Sequence, residues 1–143
     1  MVWRPYTIFP SVQQWQKAED DFDDYFKRKG KRAFVFKFPD AAEIYGRVGK
    51  IGQTRAVPSD RIVTCEGETY FAEIKSTEDP LRFKRSLLRK SQSAFATQVI
   101  AAGGLYLVFV KALVLNCWYV MPYHRATAEP SVLWTDLSDC IWK

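Results

Sequence analysis

At 143 residues, 48% hydrophobic and 15% aromatic, the chain is long and apolar enough for one domain with its own core, which excludes a disordered tail. A net charge of +5 and a pI near 9.2 fit an anionic partner, nucleic acid being the commonest, although a basic surface with no binding role has the same signature. Cys65, Cys117 and Cys140 are scattered and His124 is the only histidine, so neither a zinc site nor a Cys–His nucleophile is expected. With no apolar leader and no run of about 18 apolar residues, the expectation is a soluble, cytoplasmic protein with no membrane association.

Residues 1–10 read as an extended lead-in ending at Pro10. Ser11 and Gln14 match a capping box, and Gly30, after Lys27, Arg28 and Lys29, matches a helix stop. The helix between them carries an apolar stripe of Val12, Trp15, Phe22 and Phe26, with Glu19 inside it; Asp20, Asp21, Asp23 and Asp24 mostly face elsewhere, as a solvated face. A carboxylate on a buried side is costly unless it is paired or binds a cation. Glu19 is therefore a candidate site residue, against the alternative of a stripe edge where it reaches water. Ala33–Phe38 follows as a strand with Phe34, Phe36 and Phe38 on one face, ended by Pro39–Asp40. Residues 43–58 hold three glycines with Arg47, Lys50 and Arg55. They read as a projecting basic loop or short stalk able to touch DNA phosphates, or as a flexible connection.

Asp60 to Lys75, DRIVTCEGETYFAEIK, reads as two strands joined at Glu66–Gly67. With a two-residue loop, Cys65 pairs with Glu68 and Asp60 falls opposite Glu73, with Lys75 on the same face. A three-residue loop would turn Asp60 to the other face, and a four-residue loop would set it opposite Lys75. Two facing carboxylates repel unless something offsets them, a divalent cation being the usual answer. A solvated hairpin with a charged outer face is the plainer alternative.

From Leu81 to Ala102 the pattern turns helical, with Leu88, Phe95, Val99 and Ala102 as a stripe, Gln92 on it, and Gly103–Gly104 as the stop. Its first part holds Arg82, Lys84, Arg85, Arg89 and Lys90, the densest basic cluster of the chain, suited to phosphate contacts or to a merely solvated face. Leu105–Val110 and Leu113–Val120 are apolar strands. Residues 121–143 are expected to pack on the domain as an irregular segment or short helix without chemistry, His124 being structural or a phosphate contact.

The order helix, strand, carboxylate-bearing hairpin, helix, strand resembles the PD-(D/E)xK nuclease superfamily, with Asp60 and Glu73-Ile74-Lys75 as its signature. Pro58-Ser59-Asp60, FAEIKST and SQSAFATQVIAAGGLYLVFV resemble the RecU-type Holliday junction resolvases over roughly residues 18–122. The resemblance implies an α/β fold with a restriction-endonuclease-like core, a central mixed β-sheet flanked by helices. It implies Asp60 and Glu73 as metal-binding carboxylates, Glu19 as a further one, Lys75 as the lysine that orients the attacking water or stabilises developing charge, and Gln92 as the helix glutamine beside the site. It also implies Mg²⁺ or Mn²⁺ as cofactor, DNA with four-way junctions or other branches as substrate, and a homodimer. Pro-Ser stands before Asp60 where RecU proteins are Thr-rich, and the segment Arg47–Ala56 is much shorter than a RecU stalk. The expectation is thus a single nuclease domain over residues 1–143. A restriction- or flap-type nuclease, a non-catalytic DNA-binding module and a basic protein-interaction module are its rivals.

Overall fold

In the computed structural model, the described residues are 10–39 and 57–142, with side chains from residue 16 onward. The side chains of the capping box, Val12 and Trp15, and the whole basic segment with Arg47, Lys50 and Arg55, lie outside that description.

Helix α1 spans Pro10–Lys27 and strand β1 Ala33–Lys37, with Gly30 between them at φ +59°, the left-handed conformation that glycine adopts at no cost after a helix. Strands β2 (Arg61–Cys65) and β3 (Glu68–Thr77) follow, then a short β4 (Arg82–Lys84) and helix α2 (Lys90–Ala101). Strands β5 (Tyr106–Ala112) and β6 (Cys117–Pro122) lead into helix α3 (Tyr123–Thr127), β7 (Ser131–Leu133) and a final 3₁₀ segment, Trp134–Cys140. The main sheet runs β1-β2-β3-β5-β6; β3 and β5 are parallel and the other neighbours antiparallel. This is an α/β fold, a mixed five-stranded sheet flanked by helices.

The β2–β3 connection is a two-residue turn. Glu66 and Gly67 have φ of 52° and 87°, the pair of positive angles that matches the twist of a hairpin, and Cys65 pairs with Glu68. Of the three loop lengths considered from sequence, the shortest is the one adopted. The turn is held from outside by the Glu66 amide donating to the Arg32 carbonyl at 3.2 Å.

Strand alternation divides the core between the two faces of the sheet. On one face, Phe22 and Phe26 of α1 pack on Val63, Ala72, Ile74 and Phe109. On the other, Tyr106, Val108, Val110, Tyr119 and Met121 are covered by Phe83, Ala96, Ala126, Trp134 and Leu137. The last residues of the chain thus supply core side chains. That second covering stops short of β1, where Phe34 and Phe36 are 63% and 48% exposed.

Two expectations require correction. Residues 113–116 are a turn between β5 and β6, so the strand expected over Leu113–Val120 begins only at Cys117. Residues 81–89 do not extend the second helix. Arg82–Lys84 pairs with Ser131–Leu133 as a separate two-stranded sheet and buries Phe83 completely. Arg85–Leu87 forms a 3₁₀ turn, so the helix proper begins at Lys90. Its inward residues are Gln92 and Ala96, with Val99 partly buried beside them.

Candidate active site

Asp60 stands just before β2, and the hairpin register carries it opposite Glu73. The two residues are tied through each other's strands. The Asp60 amide donates to Glu73 Oε1 at 3.0 Å, and the Ile74 amide donates to Asp60 Oδ2 at 2.8 Å. Upstream, the buried Ser59 hydroxyl donates to the Arg61 carbonyl at 2.6 Å. From β5, the Tyr106 hydroxyl donates to the Pro58 carbonyl at 2.5 Å. The turn into β2 is therefore fixed on both sides of Asp60.

Glu73 is fully buried, and Lys75 Nζ stands 3.2 Å from its Oε2. Apart from that ion pair, Oε2 has no hydrogen-bond partner among the described residues. Burial, and then the charge of Asp60, push the Glu73 carboxyl up to about 8, with Lys75 opposing. Near neutral pH the free site therefore tends to keep a proton on Glu73, and a cation can take that proton's place. Asp60 and Glu73 form a two-carboxylate donor set in which the buried Glu73 Oε2 is met by Lys75 but takes no hydrogen bond among the described residues. This suits Mg²⁺, which commonly takes one or two carboxylates and keeps several waters. Among the described residues, no group of three or more His, Cys, Asp or Glu side chains is gathered around one point.

Glu19 is 5% exposed on α1, and its Oε1 accepts from Arg61 Nη1 at 2.9 Å. Burial and the charge of Asp60 raise its pKa, and Arg61 opposes them. Arg61 and Asp23 escape notice in the sequence. Arg61 is 2% exposed; its Nε and Nη2 fork onto Asp23 at 2.9 Å each, and Nη1 also donates to the Asp60 carbonyl at 3.1 Å. Asp23, expected on a solvated face, is thus an ion-pair partner. The available signal is a charged residue beginning a β-branched run, together with two carboxylates four apart on one helix face.

Gln92 is 3% exposed on the inward side of α2, and its Oε1 lacks a partner among the described residues. It lies one turn before Ala96, which shares a core with Tyr106 and Val108; Val108 pairs with Glu73. Arg82, Lys84, Arg85, Arg89 and Lys90, although not on one helix, line a single surface groove of about 890 Å³ with Ser93, Tyr123 and Thr127. His124 is exposed on α3, and the three cysteines are free.

The carboxylate pair and the lysine thus stand on one hairpin of a mixed five-stranded α/β sheet. Among solved structures, the fold is similar to that of Hjc from Archaeoglobus fulgidus, a Holliday junction resolvase from an archaeal hyperthermophile. The TM-score is 0.51 and the identity 15%, over 75% of each chain. No protein-family model and no curated protein sequence matches the chain. The structural likeness found is to an Hjc and does not extend to the RecU type expected from the motifs.

Proposed function

We propose that this protein is a divalent-metal-dependent DNA endonuclease of the PD-(D/E)xK type that cuts branched DNA, four-way junctions above all, as a homodimer. The observation that carries the reading is the Asp60–Glu73–Lys75 constellation, cross-linked through main-chain amides on a fold shared with a junction resolvase.

Asp60 and Glu73 are the residues that would hold Mg²⁺ or Mn²⁺. When bound, the cation supplies a more acidic water and neutralises charge on the scissile phosphate. The protein's own contribution is positional. The Ile74 amide orients the Asp60 carboxylate, and the Asp60 amide orients Glu73. Lys75, 12% exposed, offers an ammonium to the attacking water or to the anion that develops as the phosphodiester breaks. Gln92, buried in α2, is a candidate neighbour of the reacting groups. The basic groove from Arg82 to Lys90 holds the DNA backbone by charge, with little base reading, and Arg47, Lys50 and Arg55 are proposed to add phosphate contacts. Two symmetric nicks resolve a junction, and a symmetric dimer delivers two sites. A RecU-like subtype is supported by the motifs around Asp60, Glu73 and Gln92.

The test is cleavage of a labelled four-way junction, a flap and a linear duplex with and without Mg²⁺. The expected result is paired nicks on the junction that need the cation and vanish in Glu73→Gln. Cleavage that survives Glu73→Gln rejects the site. Normal DNA binding with no cleavage under Mg²⁺ or Mn²⁺ leaves a DNA-binding module.

A further inference from the structure

We propose that Arg61 is a positioning residue of the carboxylate site. It pairs both α1 carboxylates, Glu19 and Asp23, and grips the Asp60 main chain, so that α1 sets the site's geometry through an arginine and not by presenting Glu19 to a cation. The inference deepens the metal-site reading above and, in its statement about Glu19, rests on it.

Arg61 and Glu73 lie on opposite faces of the sheet. Arg61 pairs with Ala72, and alternation puts it with Val63, Ala72 and Ile74 on the sheet face that packs against α1. Glu73 and Lys75 lie one residue out of phase and project from the opposite face. A helix on the Arg61 side reaches the carboxylates only around the start of β2, where Asp60 stands. There Glu19 lies within reach of the Asp60 charge, and the guanidinium meets its Oε1 at 2.9 Å.

Four of the guanidinium's five donors are engaged around the site. A guanidinium has five N–H donors in a rigid plane. Here Nε and Nη2 are committed to Asp23, and Nη1 to Glu19 and the Asp60 carbonyl. The same Asp60 carbonyl accepts the Phe38 amide at 3.2 Å, and the Asp60 carboxylate accepts the Ile74 amide. Arg61 therefore closes a ring of donors that fixes Asp60 at both its carbonyl and its carboxylate. Asp60 and Glu73 suffice as protein ligands for a cation that keeps its remaining positions for water and phosphate. Glu19, held through Oε1 by Arg61 and 5% exposed, completes the support.

The experiment compares wild type, Arg61→Lys, Asp23→Asn, Glu19→Gln and, as a reference for loss of a ligand, Asp60→Asn. Two readouts are independent of cleavage: amide hydrogen exchange of the metal-free full chain, and calorimetric titration with Mn²⁺ alone. Lysine keeps the charge of Arg61 but cannot fork, so exchange at Ile74 and Phe38 should quicken while β5 amides hold. Mn²⁺ affinity in Arg61→Lys should fall by about tenfold, the usual scale for losing a group that orients a ligand. Asp23→Asn, with its side chain 39% exposed, is the milder variant and should show the same local pattern if Arg61→Lys does not fold. Glu19→Gln should keep the wild-type Mn²⁺ affinity.

A loss in Glu19→Gln as large as that in Asp60→Asn makes Glu19 a ligand and overturns the inference. Exchange that quickens evenly across the sheet overturns it as well, leaving Arg61 a purely structural ion pair. A wild type that binds no Mn²⁺ counts against the metal site itself, while the exchange data still decide whether Arg61 grips Asp60.

Discussion

Asp60 and Glu73 each take a hydrogen bond from the main chain of the other's strand: the Asp60 amide at 3.0 Å on Glu73 Oε1, and the Ile74 amide at 2.8 Å on Asp60 Oδ2. Neither carboxylate can swing away from the other without losing one of these bonds. The hairpin thus stores a repulsion that a proton or a cation relieves.

That stored repulsion has a pH signature. Burial and Asp60 raise Glu73 from its ordinary 4.5 to about 8. The folded state therefore binds the proton more tightly than the unfolded state does. The stability this brings is fully present below about pH 4.5 and is lost as pH rises through about 8. Without metal, the melting temperature should fall across that window, and Glu73→Gln should flatten the fall. A shallower slope in the same direction should remain, because Glu19 is also raised. Adding Mn²⁺ at the alkaline end should recover the lost stability in wild type but not in Glu73→Gln. Melting curves that are parallel with and without metal would show that no cation occupies the pair.

Much of this site is legible in the sequence, for a local reason. Glu66–Gly67 can turn in two residues, and once it does, alternation carries Asp60 opposite Glu73 with no further information. Glu19 is legible as an anomaly in an apolar stripe, but its partner is not, since Arg61 lies 42 residues away and looks like an ordinary flank of a strand. The misread helix from Leu81 has the same origin. Its residues have helical propensity, yet Arg82–Lys84 is recruited by Ser131–Leu133, a pairing that no local pattern announces. The exposure of Phe34 and Phe36 depends likewise on where α2, α3 and the final 3₁₀ segment stop, which alternation along β1 cannot reveal.

Lys75→Met should separate binding from chemistry. The ammonium faces a fully buried carboxylate and holds its pKa down, so its loss raises Glu73 further and removes a donor from the reacting phosphate. Single-turnover cleavage should slow by about 10²–10³-fold, with junction affinity nearly unchanged because the basic groove is intact. The rate should also recover partly as pH rises. An unaltered rate would take Lys75 out of the chemistry.

Tyr106→Phe should weaken the turn before Asp60 while sparing the core. The ring stacks near Phe71 and meets Tyr123 edge-on, and phenylalanine keeps those contacts. Lost is the donor to the Pro58 carbonyl, worth about 1 kcal/mol. Urea unfolding should show a lower midpoint at unchanged slope, and Mn²⁺ affinity should drop beyond what that small destabilisation explains. A variant with wild-type metal affinity would mean that the Pro58 contact serves the fold alone.

The basic groove can be tested by salt. Arg89 and Lys90 are exposed where α2 begins, and they line the groove with Arg82, Lys84 and Arg85. Lys84 is partly engaged by Asp79 at 3.6 Å, and Arg85 donates to the Thr127 carbonyl; Arg89 and Lys90 are therefore the cleaner probes. Each side chain that neutralises a phosphate releases counterions. Arg89→Ala and Lys90→Ala should each lower the slope of log affinity against log salt by about 0.9. The weakening should be equal for different sequences, since phosphate contacts carry no base information. Measured on catalytically silent Glu73→Gln, the two losses should add if the side chains meet separate phosphates. A slope that does not change would remove the groove from the DNA path and return these arginines and lysines to a solvated surface.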